Sequence, residues 1–197
     1  MMQAKPGRAT GISRRALLAL WVAFAAAVPA QAADHPSMAE MRQVAKDLLN
    51  AHRQGTVASF RRAILRHAAV PEIADYSLGQ YRSKLQSGQR QRYYGGVASF
   101  MARYFTDQSR EYPIAKYELG DASVDGNKEV LIDSKVYLLS GQTYTVVWRL
   151  GWRDGRYKVL DVKVLGFSLV YMQRGLFTSF ISKRNGDVSQ LVSALTR

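Results

Sequence analysis

The chain has 197 residues, 28 of them basic and 15 acidic, for a formal net charge of +13, and it contains no cysteine. That length accommodates one domain plus a targeting segment. The missing cysteines exclude a disulfide framework and any thiolate metal site, so the domain has to be held by packing alone.

Residues 1–32 carry Lys5, Arg8, Arg14 and Arg15 and no acid, then an apolar run over 16–28, then Pro29-Ala30-Gln31-Ala32. This order predicts a secretory signal cleaved before Ala33, its apolar run too short to span a bilayer. The pair in Ser13-Arg14-Arg15-Ala16-Leu17-Leu18 leaves two export routes open, the general secretory and the twin-arginine one. Export places the remaining single domain, 33–197, in a bacterial periplasm. Without the four bases of the leader, 24 basic residues stand against 15 acidic ones, a charge of +9. Such an excess favours anionic membrane surfaces or acidic partners, fits equally a soluble basic surface with no ligand, and argues against nucleic acid in an exported chain.

The first half of the domain reads as helices. Ser37-x-x-Glu40 has the form of a capping box, opening a helix with Met38, Met41, Val44, Ala45, Leu48 and Leu49 on one face. Thr56 is placed to cap a second helix with Val57, Phe60, Ile64 and Leu65 inward and Arg61, Arg62 and Arg66 outward. Pro71 suits the first position of a short third helix, and another short segment runs from Ser77 to Leu85. The longest helix opens near Ser87 and carries Tyr93, Tyr94, Val97, Phe100, Met101, Tyr104 and Phe105 as an apolar stripe. Gly95-Gly96 inside it costs about 1 kcal/mol per glycine relative to alanine. A close backbone approach, or room for a ligand, would justify that cost.

The second half reads as strands. Turn signals at Asp125-Gly126-Asn127, Ser140-Gly141-Gln142 and Arg153-Asp154-Gly155-Arg156 divide runs of β-formers into a four-stranded antiparallel meander, 114–124, 128–139, 142–152 and 156–165. In the third strand Tyr144, Val146, Trp148, Leu150 and Trp152 share a face. The fourth strand breaks phase, with Tyr157 and Val159 on one side and Leu160, Val162 and Val164 on the other, so a bulge is expected near Leu160-Asp161. Within three residues the pattern then turns helical. Gly166 sits at the turn, Ser168 can cap the helix and Phe167 is left apolar at the mouth of the corner. Asp187 and Gln190 begin a last helix with Val188, Leu191, Val192 and Leu195. Helices followed by an antiparallel sheet define an α+β domain.

Catalytic chemistry is thinly represented. His35 falls in a tail, and His52 and His67 sit at helix ends, where histidine reads as a cap or surface residue. No ligand cluster of zinc spacing is present. Asp133 and Asp161 are the carboxylates nearest a sheet interior. Either could serve as a general base, but the plain reading puts Asp133 on a wet face and has Asp161 accept backbone donors at the bulge. Ser168 lacks a nucleophile-elbow context.

The run Asp161-Val162-x-Val164-x-Gly166-Phe167-Ser168-Leu169-Val170-x-x-x-Arg174-x-x-Phe177 resembles the "DV.VEG.SLV…R..F" signature of the MlaC family of periplasmic phospholipid-binding proteins, also called toluene-tolerance proteins. Ser77-Leu78-Gly79-x-Tyr81, followed by Gln89-Arg90 and the aromatic helix to Tyr104, resembles that family's "VLG.YW…QR..F…F…Y" segment. The resemblance spans residues 44–195. Leu165 stands where the family usually has glutamate, Gly175 where it has a small hydroxyl residue, and Ser77 where it has valine.

The resemblance implies an NTF2-like cone: N-terminal helices packed on a curved sheet and closed by C-terminal helices, with acyl chains held in an internal cavity. The expected lining is Val97, Phe100, Met101, Tyr104, Val146, Trp148, Val164, Phe167 and Val170. Arg149 and Arg174 are expected either at an anionic head group or in salt bridges within the fold. The implied function is a non-enzymatic, monomeric carrier with phospholipid as its ligand and no cofactor or metal. It would shuttle lipid between an inner-membrane lipid ABC transporter complex and an outer-membrane lipoprotein complex, maintaining outer-membrane lipid asymmetry. A hopanoid-type lipid, a small periplasmic enzyme on a similar cone, and a pure protein-interaction module are the competing readings.

Overall fold

The computed structural model describes residues 34–124 and 129–197; the expected leader and the turn at Asp125-Gly126-Asn127 lie outside the described residues. Helix α1 (Ser37–Gln54) is followed by α2 (Val57–His67), α3 (Val70–Ser77), two 3-10 turns (Gly79–Lys84 and Ser87–Gln89) and the long α4 (Arg90–Glu111). Strands β1 (Ile114–Val124), β2 (Val130–Leu138), β3 (Thr143–Arg153), β4 (Arg156–Val164) and β5 (Phe167–Ser168) come next, then α5 (Leu169–Ser182) and α6 (Val188–Leu195).

The helix boundaries follow local chemistry. Gly55, at φ +60°, ends α1 with its N–H donating to the carbonyls of Ala51 and His52, the left-handed stop that glycine makes without penalty. Thr56 accepts from the Ser59 N–H and starts α2. The expected capping box at Ser37 does not form: Ser37 lies inside the first turn, buried, with its Oγ 2.8 Å from His35 Nδ1. Glu40 is drawn to a histidine of α2 instead. On α2, Phe60, Ala63 and Ile64 are buried, whereas Val57 and Leu65 are exposed. Leu65 follows Ile64 and is turned from it by about 100°, which carries it off the inward stripe.

The sheet is an antiparallel meander of order β1-β2-β3-β4-β5. It has five strands rather than the four expected. The fifth is a two-residue strand pairing Phe167 with Val164 and Ser168 with Lys163 across a two-residue turn. The expected bulge is present. Arg149 faces Asp161 while Leu150 faces Val159, so Leu160 is the unpaired extra residue, and such an insertion bends and twists its strand. Gly151 makes room for it, since a Cβ there would lie 2.7 Å from Leu160 Cδ1.

Three apolar cores hold these layers. Met38, Met41 and Val44 of α1 pack on Val130, Ile132 and Leu150 of the sheet. Phe60 and Ile64 of α2 pack on Ala98 and Ala102 of α4. Tyr93 and Val97 of α4 meet Phe177, Ile181, Leu191 and Val192 of α5 and α6. A Cβ on Gly96 would lie 2.8 Å from Leu195 Cβ, so that glycine admits α6 against α4. Gly95 has nothing closer than the Arg61 guanidinium, at 4.0 Å.

Candidate functional site

The corner between β4 and α5 is fixed by four residues. Asp161 is buried and its Oδ1 accepts the N–H of Val162 (2.8 Å) and of Val170 (3.2 Å). It therefore ties the bulged strand to the first turn of α5. Ser168 Oγ accepts the Tyr171 N–H at 3.0 Å and caps the helix. Leu165 and Gly166 between them both have positive φ, +51° and +84°, the backbone of a tight hairpin turn that needs two left-handed residues.

Above this corner the helices and sheet do not close. A hollow of about 380 Å³ lies between α1, α4 and the sheet, with Met41, Tyr117, Val136, Val146 and Val164 among its walls. A second lobe of about 120 Å³ runs between α2, α4, β4 and α5, against Ile64, Phe100, Met101, Val159 and Val170. Leu48, Tyr104, Phe105, Trp148, Val162 and Leu169 belong to both lobes. Protein interiors are normally filled to crystal density. The larger lobe departs from that density as a cleft partly open to solvent, not as a sealed void.

Several polar groups in the walls are hydrogen-bonded within the fold. Trp148 Nε1 donates to Ser134 Oγ at 2.9 Å, and that hydroxyl donates onward to the Val146 carbonyl. His52 Nε2 accepts the Ile114 N–H at 3.1 Å, and burial pushes its pKa down, so the ring stands neutral in the larger lobe. Gln173, buried in the smaller lobe, donates to Ser77 Oγ at 2.7 Å, and Ser77 donates to the Ile73 carbonyl.

The structure brings Phe100, Met101, Tyr104, Val146, Trp148, Val164 and Val170 onto these walls. It places two expected lining residues elsewhere. Val97 is 0 % exposed but faces α6, packed with Leu191 and Val192, because its position on α4 follows the Tyr93 side of the helix. Phe167 is 69 % exposed on the outside of the corner. The two arginines also lie off the walls: Arg149 pairs with Glu129 at 2.9 Å, and the Arg174 guanidinium sits over the Tyr76 ring, 4.8 Å from its centre. Asp133 is exposed.

His67 departs furthest from the sequence reading. It is no surface cap. Only 3 % exposed, it has Nδ1 2.8 Å from Glu40 Oε1 and Nε2 2.8 Å from Asp47 Oδ2, and it lines the smaller lobe. The hydrogen bond from His67 is the leading reason that the Asp47 carboxyl is held below its ordinary range.

A helix-on-sheet α+β protein with a two-lobed apolar hollow is the class that these features define. Among the described residues there is no group of side chains able to hold a metal ion, and no helix long and apolar enough to cross a membrane. Residues 37–197 match the MlaC protein family, and the chain belongs to that family. Among solved structures it is similar to the phospholipid-binding protein from Ralstonia solanacearum in complex with a phospholipid. The TM-score is 0.67 at 20 % identity, over 83 % of this chain and 95 % of that one, a likeness of fold. No curated protein matches the sequence.

Proposed function

We propose that this protein is a periplasmic phospholipid carrier that holds acyl chains in the two-lobed hollow and leaves the head group near solvent. The apolar hollow of about 380 Å³ is the observation that carries this reading, since it falls in the size range of small-molecule sites and its walls are mainly apolar. Membership of the MlaC family and the phospholipid held by the Ralstonia solanacearum protein support it.

The energetics explain why such a protein is needed. Water exposure costs an acyl chain roughly 0.8 kcal/mol per CH₂, so two long chains crossing an aqueous space meet a barrier on the order of 20 kcal/mol. A cavity that matches the membrane interior removes that barrier, and one that bound much more tightly would block release. Phe100, Met101, Tyr104, Val146, Trp148, Val164 and Val170 supply the apolar surface in this reading. Arg149 and Arg174 are engaged within the fold and serve as structural cations. The carrier works in an NTF2-like cone as a monomer and without turnover. It receives and delivers lipid between an inner-membrane ABC transporter complex and an outer-membrane lipoprotein complex, in support of outer-membrane lipid asymmetry.

Protein purified from its own periplasm should give a native mass above its denatured mass by that of a bound lipid, and lipidomics should identify it as a phospholipid. A hopanoid as the sole ligand would redirect the reading within its class. Protein that is consistently empty and takes no lipid from liposomes would overturn it.

A further inference from the structure

Helix α5 is apolar on two opposite sides. Val170, Gln173, Phe177 and Ile181 face inward. The opposite face, Tyr171, Met172, Gly175, Leu176 and Ser179, is exposed and carries no charge. A helix with apolar residues all round is expected inside a core or in lipid, yet here Tyr171 is 68 % and Leu176 60 % exposed. The turn beside it adds Leu165 and Phe167, also exposed. These residues form one patch on the outside of the β4–α5 corner.

Two further observations indicate what covers it. The first is continuity with the hollow: Leu165 is exposed and also lines the larger lobe, while Met172 and Leu176 are exposed and also line the smaller one. The patch and the cavity walls are one apolar surface. The second is charge. Between Asp161 and Asp187 the sequence holds Lys163, Arg174, Lys183 and Arg184 and no acidic residue, with Lys163 and Lys183 exposed. Exposed aromatic and aliphatic side chains with Lys163 and Lys183, in a segment without carboxylates, match an anionic bilayer surface, where apolar groups enter the acyl boundary and cations meet the head groups.

We infer that the β4–α5 corner docks directly on an anionic lipid bilayer, with Leu165, Phe167, Tyr171 and Leu176 entering the interface and Lys163 and Lys183 at the head groups. This deepens the carrier reading and rests on it. Docking there sets Leu165 and Leu176, and the lobes they lead into, against the membrane that holds the partner complexes.

Vesicle co-sedimentation of the protein tests the docking, and uptake of phospholipid from detergent micelles tests the cavity separately. The protein should bind vesicles of phosphatidylethanolamine and phosphatidylglycerol, bind phosphatidylcholine vesicles more weakly, and lose binding as salt screens the lysines. The double variant Phe167→Ser/Tyr171→Ser touches neither lobe. It should lose about tenfold or more in vesicle binding, as expected for two large side chains left out of the interface, while taking lipid from micelles as before. Gly175→Glu is a second, independent variant, because a Cβ there meets nothing within 4 Å; its carboxylate should repel the anionic surface with the fold intact. Wild-type protein that loads from micelles but ignores both vesicle types would overturn the inference and leave the carrier reading standing. Unchanged vesicle binding by both variants would also overturn it. Failure to load from micelles as well as to bind vesicles would remove the carrier reading and this inference together.

Discussion

Leu165 occupies a backbone position that a branched apolar residue rarely takes. Its φ of +51° costs about 1–2 kcal/mol relative to the right-handed region, and its side chain gains little by burial. Leu165→Gly should therefore raise stability by about 1 kcal/mol, seen as a higher Tm, and Leu165→Val, β-branched, should lower it. A Tm that falls in the glycine variant would mean that the side chain is held by packing after all. At the same scale, His67 bridges two carboxylates, with Nδ1 against Glu40 and Nε2 against Asp47. Asp47, held below the ordinary carboxylate range chiefly by His67, contributes stability that is complete above an ordinary carboxylate pKa of about 4. That contribution is lost as pH falls through the lower folded value. Acid titration of thermal stability should show a loss below about pH 4 that is shallower in Asp47→Asn. His67→Ala removes the bridge between Glu40 and Asp47 and should cost about 2 kcal/mol at neutral pH, Asp47 keeping its bonds from Gln43 and Arg66.

The elements show where sequence pattern carries and where it stops. The bulge at Leu160 was legible because the apolar residues of β4 change phase there, and a one-residue phase change has one simple structural remedy. Strand β5 was not legible. Two residues cannot display alternation, and its turn uses Leu165-Gly166 in place of the usual Asn-Gly or Asp-Gly. The expected lining came with the family resemblance rather than from periodicity, and the apolar stripe of α4 that holds Phe100, Met101 and Tyr104 could not tell that Val97 packs in the core with α6. That distinction depends on where α6 docks. The His67 pairing was hidden for a similar reason, its partners lying 27 and 20 positions earlier on another helix. The paired glycines of α4 give an element-scale test. Gly95→Ala has room and should stabilise by about 1 kcal/mol through helix propensity. Gly96→Ala should destabilise despite the same propensity gain, because its Cβ would lie 2.8 Å from that of Leu195. Circular dichroism melts of the two variants, moving in opposite directions, would establish the close approach of α6; equal shifts would contradict it.

For the whole molecule, export and lipid carriage go together in the proposed account. N-terminal sequencing of the protein recovered from a Gram-negative periplasm should begin at Ala33, and retention of residues 1–32 would contradict the leader expected from the sequence. The hollow itself can be interrogated by a reporter already in its wall. The sequence has three tryptophans, Trp21, Trp148 and Trp152. Trp148 belongs to both lobes, whereas Trp152 is exposed. In a chain lacking residues 1–32 and carrying Trp152→Phe, emission comes from Trp148 alone. Phospholipid with brominated acyl chains should quench that emission, and the same lipid without bromine should not. Emission unchanged by brominated lipid that has demonstrably bound would place the acyl chains elsewhere and contradict the account.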